Sequence, residues 1–342
     1  MRKCWRRGET ALTYHSTYGD EGDWMRSELL VAEPKPVAAA KLIPTDAAKE
    51  LQTSGMLTVS GVLSKFSARR LSSHVVDSLA RARRQSGLIS TPDPTLAQVL
   101  TPTNRWDHKL LLSSPVRAAM KEALVSLQSV LAEVIGGDAC LWEAAALVSL
   151  PGAPQQQCHP DAAWQQRAPA FVVFLALSNV TQEMGPTIVL PGTQTERAHD
   201  LFNGGNAAGT RKQLLCSRPH RAPCLKRGDA LVLDARCLHC GGANYSRSMR
   251  ALFYFTFVRR GCERLALRNP SLRDELRGRR LQLDQHESWL ASDGAFLDIP
   301  VDPSAALSRE HTAKKTSLAS MSKAELLGMA AEEDETGDCL AS

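Results

Sequence analysis

Hydrophobic residues follow a helical period in the first part of the chain. Between Ser67 and Arg84 they recur at helical spacing with arginines elsewhere, which predicts an amphipathic helix lying on the core. Its apolar face would consist of Leu71, Val75, Val76 and Leu79. The same period from Ser114 to Ile135 predicts a second helix, and Ser114-Pro115 is typical of a helix start. The apolar positions of this helix are Val116, Met120, Leu124, Leu127, Leu131 and Val134.

After Gly136-Gly137 the pattern changes to short apolar or alternating runs separated by turn residues. Because no long helices separate these runs, they favour an antiparallel barrel or sandwich over a doubly wound parallel sheet. Upstream, residues 51–63 predict a helix end, a glycine stop and a strand. Downstream, Asn269-Pro270 predicts the start of another helix, with Leu272, Leu276 and Leu281 packed on the core. The runs predict strands at 141–150, 155–160, 170–178, 187–190, 229–234 and 249–258.

The two ends of the chain lack this periodicity. Residues 1–46 are expected to be a poorly ordered leader, and residues 301–342, rich in Ala, Ser, Lys and Glu, a flexible tail. The globular domain is therefore predicted at 47–300. The sequence contains no internal repeat.

Charge and cysteine content narrow the function classes. The net charge of +5 suits an anionic substrate but is too diffuse to indicate nucleic-acid binding. Nine cysteines, an odd number without dense regular spacing, indicate thiols in a reducing compartment. A cytoplasmic location is expected, with organellar targeting left open. No apolar run approaches the roughly 18 residues that a membrane span requires.

Two imidazoles and a carboxylate form the main candidate site. His159 and Asp161 are two residues apart in a predicted strand and so point to the same face, and a second strand could bring His239 to meet them. Two histidines and one carboxylate are the ligand set that binds non-haem Fe(II) and leaves open positions for substrate and oxygen. An isolated histidine would more often be an ordinary polar residue, so the prediction depends on the surrounding residues.

Arg250 is the most informative of those residues. It lies eleven positions after His239, at the head of the alternating segment 251–258, where a buried guanidinium needs an anion such as a bidentate carboxylate. Ser246 could add a hydroxyl, whereas Asn244 is expected to stabilise the turn after His239. A structural salt bridge is the alternative role for Arg250.

Two other interpretations use neighbouring residues. Cys237, His239 and Cys240, with Cys158 nearby, could form a zinc site, but no second closely spaced ligand pair is evident and alternation sends Cys240 to the face opposite His239. The basic stretch 211–227 could be a lid that attracts a phosphorylated or coenzyme-A-linked substrate, although a solvated loop is favoured.

Four motifs in order resemble the phytanoyl-CoA dioxygenase family of Fe(II)- and 2-oxoglutarate-dependent oxygenases, over roughly residues 47–260. They are His159-Pro-Asp161, the segment 179–193, the segment 228–234, and the segment from His239 to Arg250. The resemblance implies a mainly β fold, a double-stranded β-helix or jelly-roll with flanking helices. It also implies that His159, Asp161 and His239 bind Fe(II) and that Arg250 holds the distal carboxylate of 2-oxoglutarate.

The function implied by the resemblance is a dioxygenase that uses Fe(II), 2-oxoglutarate and O2, with ascorbate as an optional reductant. It would hydroxylate an unactivated carbon of a small-molecule, acyl or lipid-derived substrate and release succinate and CO2. Related halogenases carry a small residue in place of the carboxylate, so Asp161 favours hydroxylation. The alternatives are a catalytically inactive jelly-roll that binds a ligand and a zinc-stabilised interaction module. The substrate and the oligomeric state stay open.

Overall fold

Two antiparallel sheets of unequal size form the centre of the fold. The computed structural model describes residues 30–31, 35–88, 93–204, 210–262 and 271–301. The strands in chain order are β1 (Val37–Ala38), β2 (Met56–Ser60), β3 (Leu96–Ala97), β4 (Arg105–Lys109), β5 (Cys140–Ser149), β6 (Ala170–Ala176), β7 (Thr187–Val189), β8 (Ala230–Asp234), β9 (His239–Gly241) and β10 (Arg250–Val258).

The large sheet has eight strands in the order β1-β2-β8-β6-β10-β5-β4-β3. All its neighbours are antiparallel except β1 and β2, which are parallel. The small sheet is built on the antiparallel pair β7 and β9. Single bridges extend it on both sides, from His159 to His239 and from Val189 to Arg221.

The chain alternates between these sheets in the pattern of a jelly-roll. The large sheet contains β5, β6, β8 and β10. Between them the chain enters the small sheet at His159 after β5, at β7 and Arg221 after β6, and at β9 after β8. That alternation is the double-stranded β-helix, so the predicted fold class is confirmed.

Helices cover the outer faces of both sheets. α1 (Pro44–Ser54), α2 (Lys65–Leu88) and α3 (Ser114–Ile135) share one apolar cluster with the outward residues of β5 and β10. α4 (Glu196–Phe202) and α5 (Thr210–Ser217) pack in another cluster with residues of the small sheet. The short α6 (His286–Trp289) places Trp289 in the first cluster. Among the described residues, none of these helices combines the length and apolar character needed to cross a membrane.

Most predicted elements agree with the structure. The five predicted strands that correspond to β5, β6, β7, β8 and β10 match to within two residues at each end, and the helix predicted at 114–135 matches α3. All six predicted apolar positions of α3 are buried. The helix end, glycine stop and strand at 51–63 are confirmed, with Gly55 at a φ of 77° after α1.

Two predictions need correction, and a third concerns chain ends that are only partly described. Val76 of α2 is 39% exposed and does not belong to the core face of that helix. The segment 271–280 forms successive turns rather than the helix expected after Asn269-Pro270, although Leu272 and Leu276 are buried. The chain through 29, residues 32–34 and the tail from 302 lie outside the described residues, whereas residues 35–46 of the predicted leader contain β1 and the start of α1. The domain boundaries at 47 and 300 stay predictions.

A small second unit includes Arg277–Arg280. Its described residues are 277–280, 300 and 301, and within it Arg279 forms an isolated bridge with Val301.

Alternation along β10 decides which side chains enter the space between the sheets. Phe253, Phe255 and Phe257 belong to the apolar cluster with the helices. Leu252 and Tyr254 belong to the inner cluster between the sheets. Because successive strand residues face opposite sides, Arg250 and Thr256 lie on the inner face as well.

Gly185 allows a close approach between the loop before β7 and the turn after β9. Its φ is +68°, and a Cβ there would lie 2.3 Å from the carbonyl oxygen of Ala243. We expect Gly185→Ala to lower the free energy of unfolding by at least about 3 kcal/mol, since it adds a backbone clash to the cost of a left-handed conformation. Urea unfolding followed by circular dichroism measures this.

Gly192→Ala is the matched control for this prediction. Gly192 has a φ of +75°, but a Cβ there would meet nothing within 4 Å. This substitution should lower the free energy of unfolding by only about 1 kcal/mol, which is the cost of the left-handed backbone conformation without a clash. Equal losses in the two variants would contradict the close-approach explanation.

Candidate metal centre

His159 and His239 face each other across the small sheet. Their main chains exchange two N–H···O bonds of 2.9 Å, and their rings lie 4.6 Å apart between centroids. Asp161 follows two residues after His159, and its carboxylate oxygens lie 3.7 Å from His159 Nε2 and 3.6 Å from His239 Nε2. One ligand atom from each of the three residues falls within 4.8 Å of the others. The structure therefore brings together the three residues predicted as the metal site.

Hydrogen bonds to the main chain orient both imidazoles. Nδ1 of His159 lies 2.8 Å from the carbonyl oxygen of Gln157, and Nδ1 of His239 lies 3.0 Å from that of Cys237. A carbonyl oxygen only accepts, so each Nδ1 carries the proton and each Nε2 presents a lone pair. Burial, together with the neighbouring His239, lowers the pKa of His159 below its ordinary value, which favours the neutral ring.

The donor set fits a divalent metal ion. Separations of 3.6 and 3.7 Å are too long for hydrogen bonds, so the carboxylate and the two lone pairs converge without satisfying one another. Neutral imidazoles whose second nitrogen is bonded to a main-chain carbonyl are the usual form of histidine ligands. Among the described residues, this is the one group of His, Cys, Asp or Glu with suitable spacing.

Two buried arginines share a serine near this group. Nε of Arg105 and one terminal nitrogen of Arg250 donate to Ser149 Oγ at 3.2 and 3.1 Å. Burial lowers the pKa of Arg250 to about 9 and that of Arg105 to about 10. Within the described residues, Nε of Arg250 has no hydrogen-bond partner and neither arginine forms an ion pair. Two buried cations with no partner anion among the described residues favour the binding of an anion.

The guanidinium of Arg250 lies on the same side of β9 as the imidazole of His239. Gly241 is two residues after His239, so a Cβ at Gly241 would point to that side. Such a Cβ would lie 3.3 Å from a terminal nitrogen of Arg250. Two residues of strand span about 7 Å, so the guanidinium of Arg250 and the imidazole of His239 are separated by about the length of a short diacid.

The hydroxyl of Ser246 makes contacts within its own turn. It donates to Asn244 Oδ1 at 2.7 Å and to the carbonyl oxygen of Ser248, within the turn before β10. The hydroxyl that contacts Arg250 belongs to Ser149 instead. Asn244 stabilises this turn as predicted, because its Nδ2 donates to the carbonyl oxygens of Ser149 and Ser248.

Three residues of the site were not predicted. Arg105 comes from β4, a strand that the sequence did not reveal, and Ser149 is the last residue of β5. Gln156 Oε1 accepts from the main-chain N–H of Gly241 at 2.9 Å and supports the strand between His239 and Arg250. The sequence signal for Arg105 was weak, since Arg105 to Lys109 has four polar residues out of five.

Two buried acids lie on the inner face of the large sheet. Thr256 Oγ1 donates to Glu143 at 2.6 Å, and Tyr254 donates to Asp107 at 3.0 Å. The main-chain N–H of Ser271 donates to Glu143 and its hydroxyl donates to Asp107. Burial raises the pKa of Glu143 to about 8 and that of Asp107 to about 6. These acids tie the segment at Ser271 to the sheet.

The raised pKa of Glu143 predicts a loss of stability at high pH. The folded protein keeps this proton above pH 4.5, where the unfolded chain releases it, so the stabilisation is full below that pH and is lost as the pH rises to about 8. We expect Glu143→Gln to raise the free energy of unfolding at pH 8.5 by up to about 4 kcal/mol and to leave it nearly unchanged at pH 4.5. Urea unfolding across this range measures it. The exposed Glu133→Gln should keep the parent's slope with pH, and an unchanged slope in the Glu143 variant would refute the assignment.

The thiols near the ligands are apolar filling. Cys158 and Cys240 belong to the cluster between the small sheet and α4 and α5. Burial raises the pKa of both Cys237 and Cys240 to about 12, which keeps them as thiols rather than thiolate ligands. Nothing in this arrangement favours the zinc site considered from the sequence.

Comparison with family models gives the decisive match. The family described as "Phytanoyl-CoA dioxygenase (PhyH)" matches residues 55–252, which is more than half of the chain and contains the metal-centre residues and Arg250. The chain belongs to the phytanoyl-CoA dioxygenase family. As a member, it is an oxidoreductase of the dioxygenase class, and Fe(II) and 2-oxoglutarate are the cofactors of its family.

Comparison of this chain with curated proteins finds no match. Among solved structures, the carbocyclase SnoK from nogalamycin biosynthesis is 15% identical with a TM-score of 0.48, and the alignment covers 66% of this chain and 88% of SnoK. AviO1 from Streptomyces viridochromogenes Tue57 is 16% identical with a TM-score of 0.48, covering 64% and 96%. The epimerase SnoN, in complex with Fe3+, alpha ketoglutarate and nogalamycin RO, is 17% identical with a TM-score of 0.45, covering 63% and 83%.

Proposed function

We propose that this phytanoyl-CoA dioxygenase family member hydroxylates an unactivated carbon of a small-molecule or lipid-derived substrate, with release of succinate and CO2. The observation that carries the proposal is the convergence of His159, Asp161 and His239 within 4.8 Å, with Nδ1 of each imidazole bonded to a main-chain carbonyl and each Nε2 left to bind a metal. The buried guanidinium of Arg250, which lies beside Gly241 of β9, supplies the second half of the site.

The metal ligands in this proposal are His159 Nε2, His239 Nε2 and the carboxylate of Asp161. Their total charge of minus one suits a ferrous ion, which binds imidazole and carboxylate together. When bound, Fe(II) supplies the oxygen chemistry that side chains cannot perform. The main-chain carbonyls of Gln157 and Cys237 hold the two rings in the tautomer that binding needs.

Arg250 and Arg105 would bind the far carboxylate of 2-oxoglutarate. The orphan Nε of Arg250 is a donor that a carboxylate would satisfy, and Ser149 holds both guanidinium groups in place. A bidentate carboxylate also offsets the repulsion between two cations in a site of low dielectric. The hydrogen bond from the main-chain N–H of Gly241 to Gln156 Oε1 fixes the strand between the two halves of the site.

The inner apolar residues of the large sheet would exclude water around the reacting carbon. Phe174, Leu252 and Tyr254 form one cluster there, and Leu147 packs against it while staying partly exposed. A partly exposed leucine on an inner face leaves room for an apolar portion of a substrate.

Turnover of 2-oxoglutarate tests the proposal. The purified chain, loaded anaerobically with Fe(II), should bind about one iron per chain and release succinate from 2-oxoglutarate in air, even without substrate. A screen of acyl, fatty-acid and amino-acid derivatives should then find a compound that raises this rate and gains one oxygen atom by mass spectrometry. Stoichiometric iron binding without succinate release in any condition would favour the inactive ligand-binding alternative.

A further inference from the structure

A cavity lined by cations lies on the surface of the unit that carries the metal centre. Its volume is about 350 Å3, and its lining residues are Lys65 and Arg69 of α2, Lys226 and Arg227 before β8, and Asn179 after β6. The described residues that line it include no acid. We propose that this cavity binds a phosphate-bearing small molecule of about the size of pyrophosphate, at a site separate from the metal centre.

Main-chain contacts place the cavity at the opposite end of β8 from the metal ligands. Just before β8, Gly228 N donates to the carbonyl oxygen of Ala176. Just after β8, Ala235 accepts from the N–H of Ala162, the residue that follows Asp161. The five residues of β8 span about 16 Å, so a ligand in the cavity would not reach the iron ligands.

The two cationic walls are held together by main-chain contacts. Leu63 N donates to the carbonyl oxygen of Gly228 at 2.9 Å, and a Cβ at Gly228 would lie 2.3 Å from Leu63 O. Asp229 accepts from the N–H groups of Gly61 and Lys226 at 3.0 and 2.9 Å. The loop before α2 and the turn before β8 are therefore fixed against each other. Main-chain segments that are already fixed lose little further entropy when a ligand binds.

The donors at the cavity suit a phosphate group. Arg227 N donates to Asn179 Oδ1 at 2.9 Å, which leaves the amide NH2 of Asn179 as a donor. Arg227 Nε donates to the carbonyl oxygen of Leu177, so this guanidinium is held in place. Glu122 accepts from Ser64 N at the start of α2 but does not line the cavity. Four cations around one cavity repel one another, and a multiply charged anion relieves that repulsion.

The size and charge of the cavity favour pyrophosphate over larger partners. A volume of about 350 Å3 is at the lower end of the range for small-molecule sites. Four positive charges match an anion that carries three to four negative charges near neutral pH. A dicarboxylate carries half that charge and, in the proposed function, belongs to Arg250.

Titration calorimetry with inorganic pyrophosphate tests the proposal. The full-length chain is used without added metal, at constant ionic strength, because pyrophosphate chelates iron. We expect saturable binding, and we expect the double variant Arg69→Ala/Lys226→Ala to weaken the affinity at least about tenfold, equivalent to about 1.4 kcal/mol. Both side chains are exposed, so thermal unfolding should show that the variant stays folded.

Arg81→Ala/Arg84→Ala is the matched control. It removes two exposed cations from the same helix at a distance from the cavity and should change the affinity by less than about twofold. Equal weakening in both double variants would show a diffuse electrostatic effect and overturn the proposal. Absence of saturable binding by the parent chain would overturn it as well. Succinate release is independent of these outcomes, so the proposed function stands or fails separately.

Discussion

Replacing Asp161 with alanine is expected to abolish stoichiometric Fe(II) binding and to lower succinate release at least about 100-fold. The carboxylate is the anionic member of the ligand set, and its loss leaves two neutral imidazoles to hold a doubly charged ion. The Asp161 side chain is 22% exposed, and within the described residues it makes no hydrogen bond on which the fold depends. The metal-free variant should therefore unfold at nearly the parent's temperature. Iron analysis of anaerobically loaded protein, together with succinate assays, measures both effects.

Asp200→Ala is the control for this substitution. Asp200 is an exposed acid of α4, and its removal changes the net charge equally without touching the ligand set. It should bind iron and release succinate as the parent does. Parent-like iron content and turnover in the Asp161 variant would disprove the assignment of the metal centre.

Replacing Arg250 with methionine is expected to weaken 2-oxoglutarate binding by roughly 10- to 150-fold while leaving Fe(II) binding unchanged. Methionine keeps much of the volume but removes the charge-assisted hydrogen bonds to the far carboxylate, which contribute about 1.5–3 kcal/mol. Arg105 would still attract the carboxylate, so some binding should persist. Anaerobic titration of 2-oxoglutarate into the iron-loaded protein gives the dissociation constant.

The stability of the Arg250 variant distinguishes an anion site from a structural role. The guanidinium is fully buried, its Nε is unpaired, and Arg105 repels it, so the metal-free variant should be at least as stable as the parent. Arg260→Met, which removes a 64% exposed guanidinium, should change neither affinity nor stability. A large fall in stability with unchanged 2-oxoglutarate affinity would show that Arg250 is structural.

Local patterns account for the parts of the site that were predicted. His159 and Asp161 share a face because they are two residues apart, and Arg250 begins a strand whose alternation is evident between 251 and 258. The three candidate metal ligands and Arg250 could therefore be named before their distances were known. The same reasoning placed α3 and its buried face correctly, because a period of 3.6 residues needs no distant partner.

Residues whose surroundings come from distant segments were missed. Arg105 lies in a strand with little apolar alternation, and only its pairing with β5 brings it to Ser149 and Arg250. Glu143 resembles an exposed strand residue in the sequence, yet contacts from Thr256 and Ser271 bury it. Ser246 was assigned to the site on spacing alone, whereas the hydrogen bonds of its turn engage the hydroxyl.

Hydrophobic periodicity indicated the fold class, and short polar motifs indicated the family and the candidate site residues, because each motif consists of residues close together in the chain. The register between strands decided the rest. It set the pairing of His159 with His239, the second arginine beside Arg250, the protonation of buried acids and the cationic cavity at the far end of β8. These features depend on burial and on short distances between charged groups from segments far apart in the chain, and such distances exist only in the folded chain.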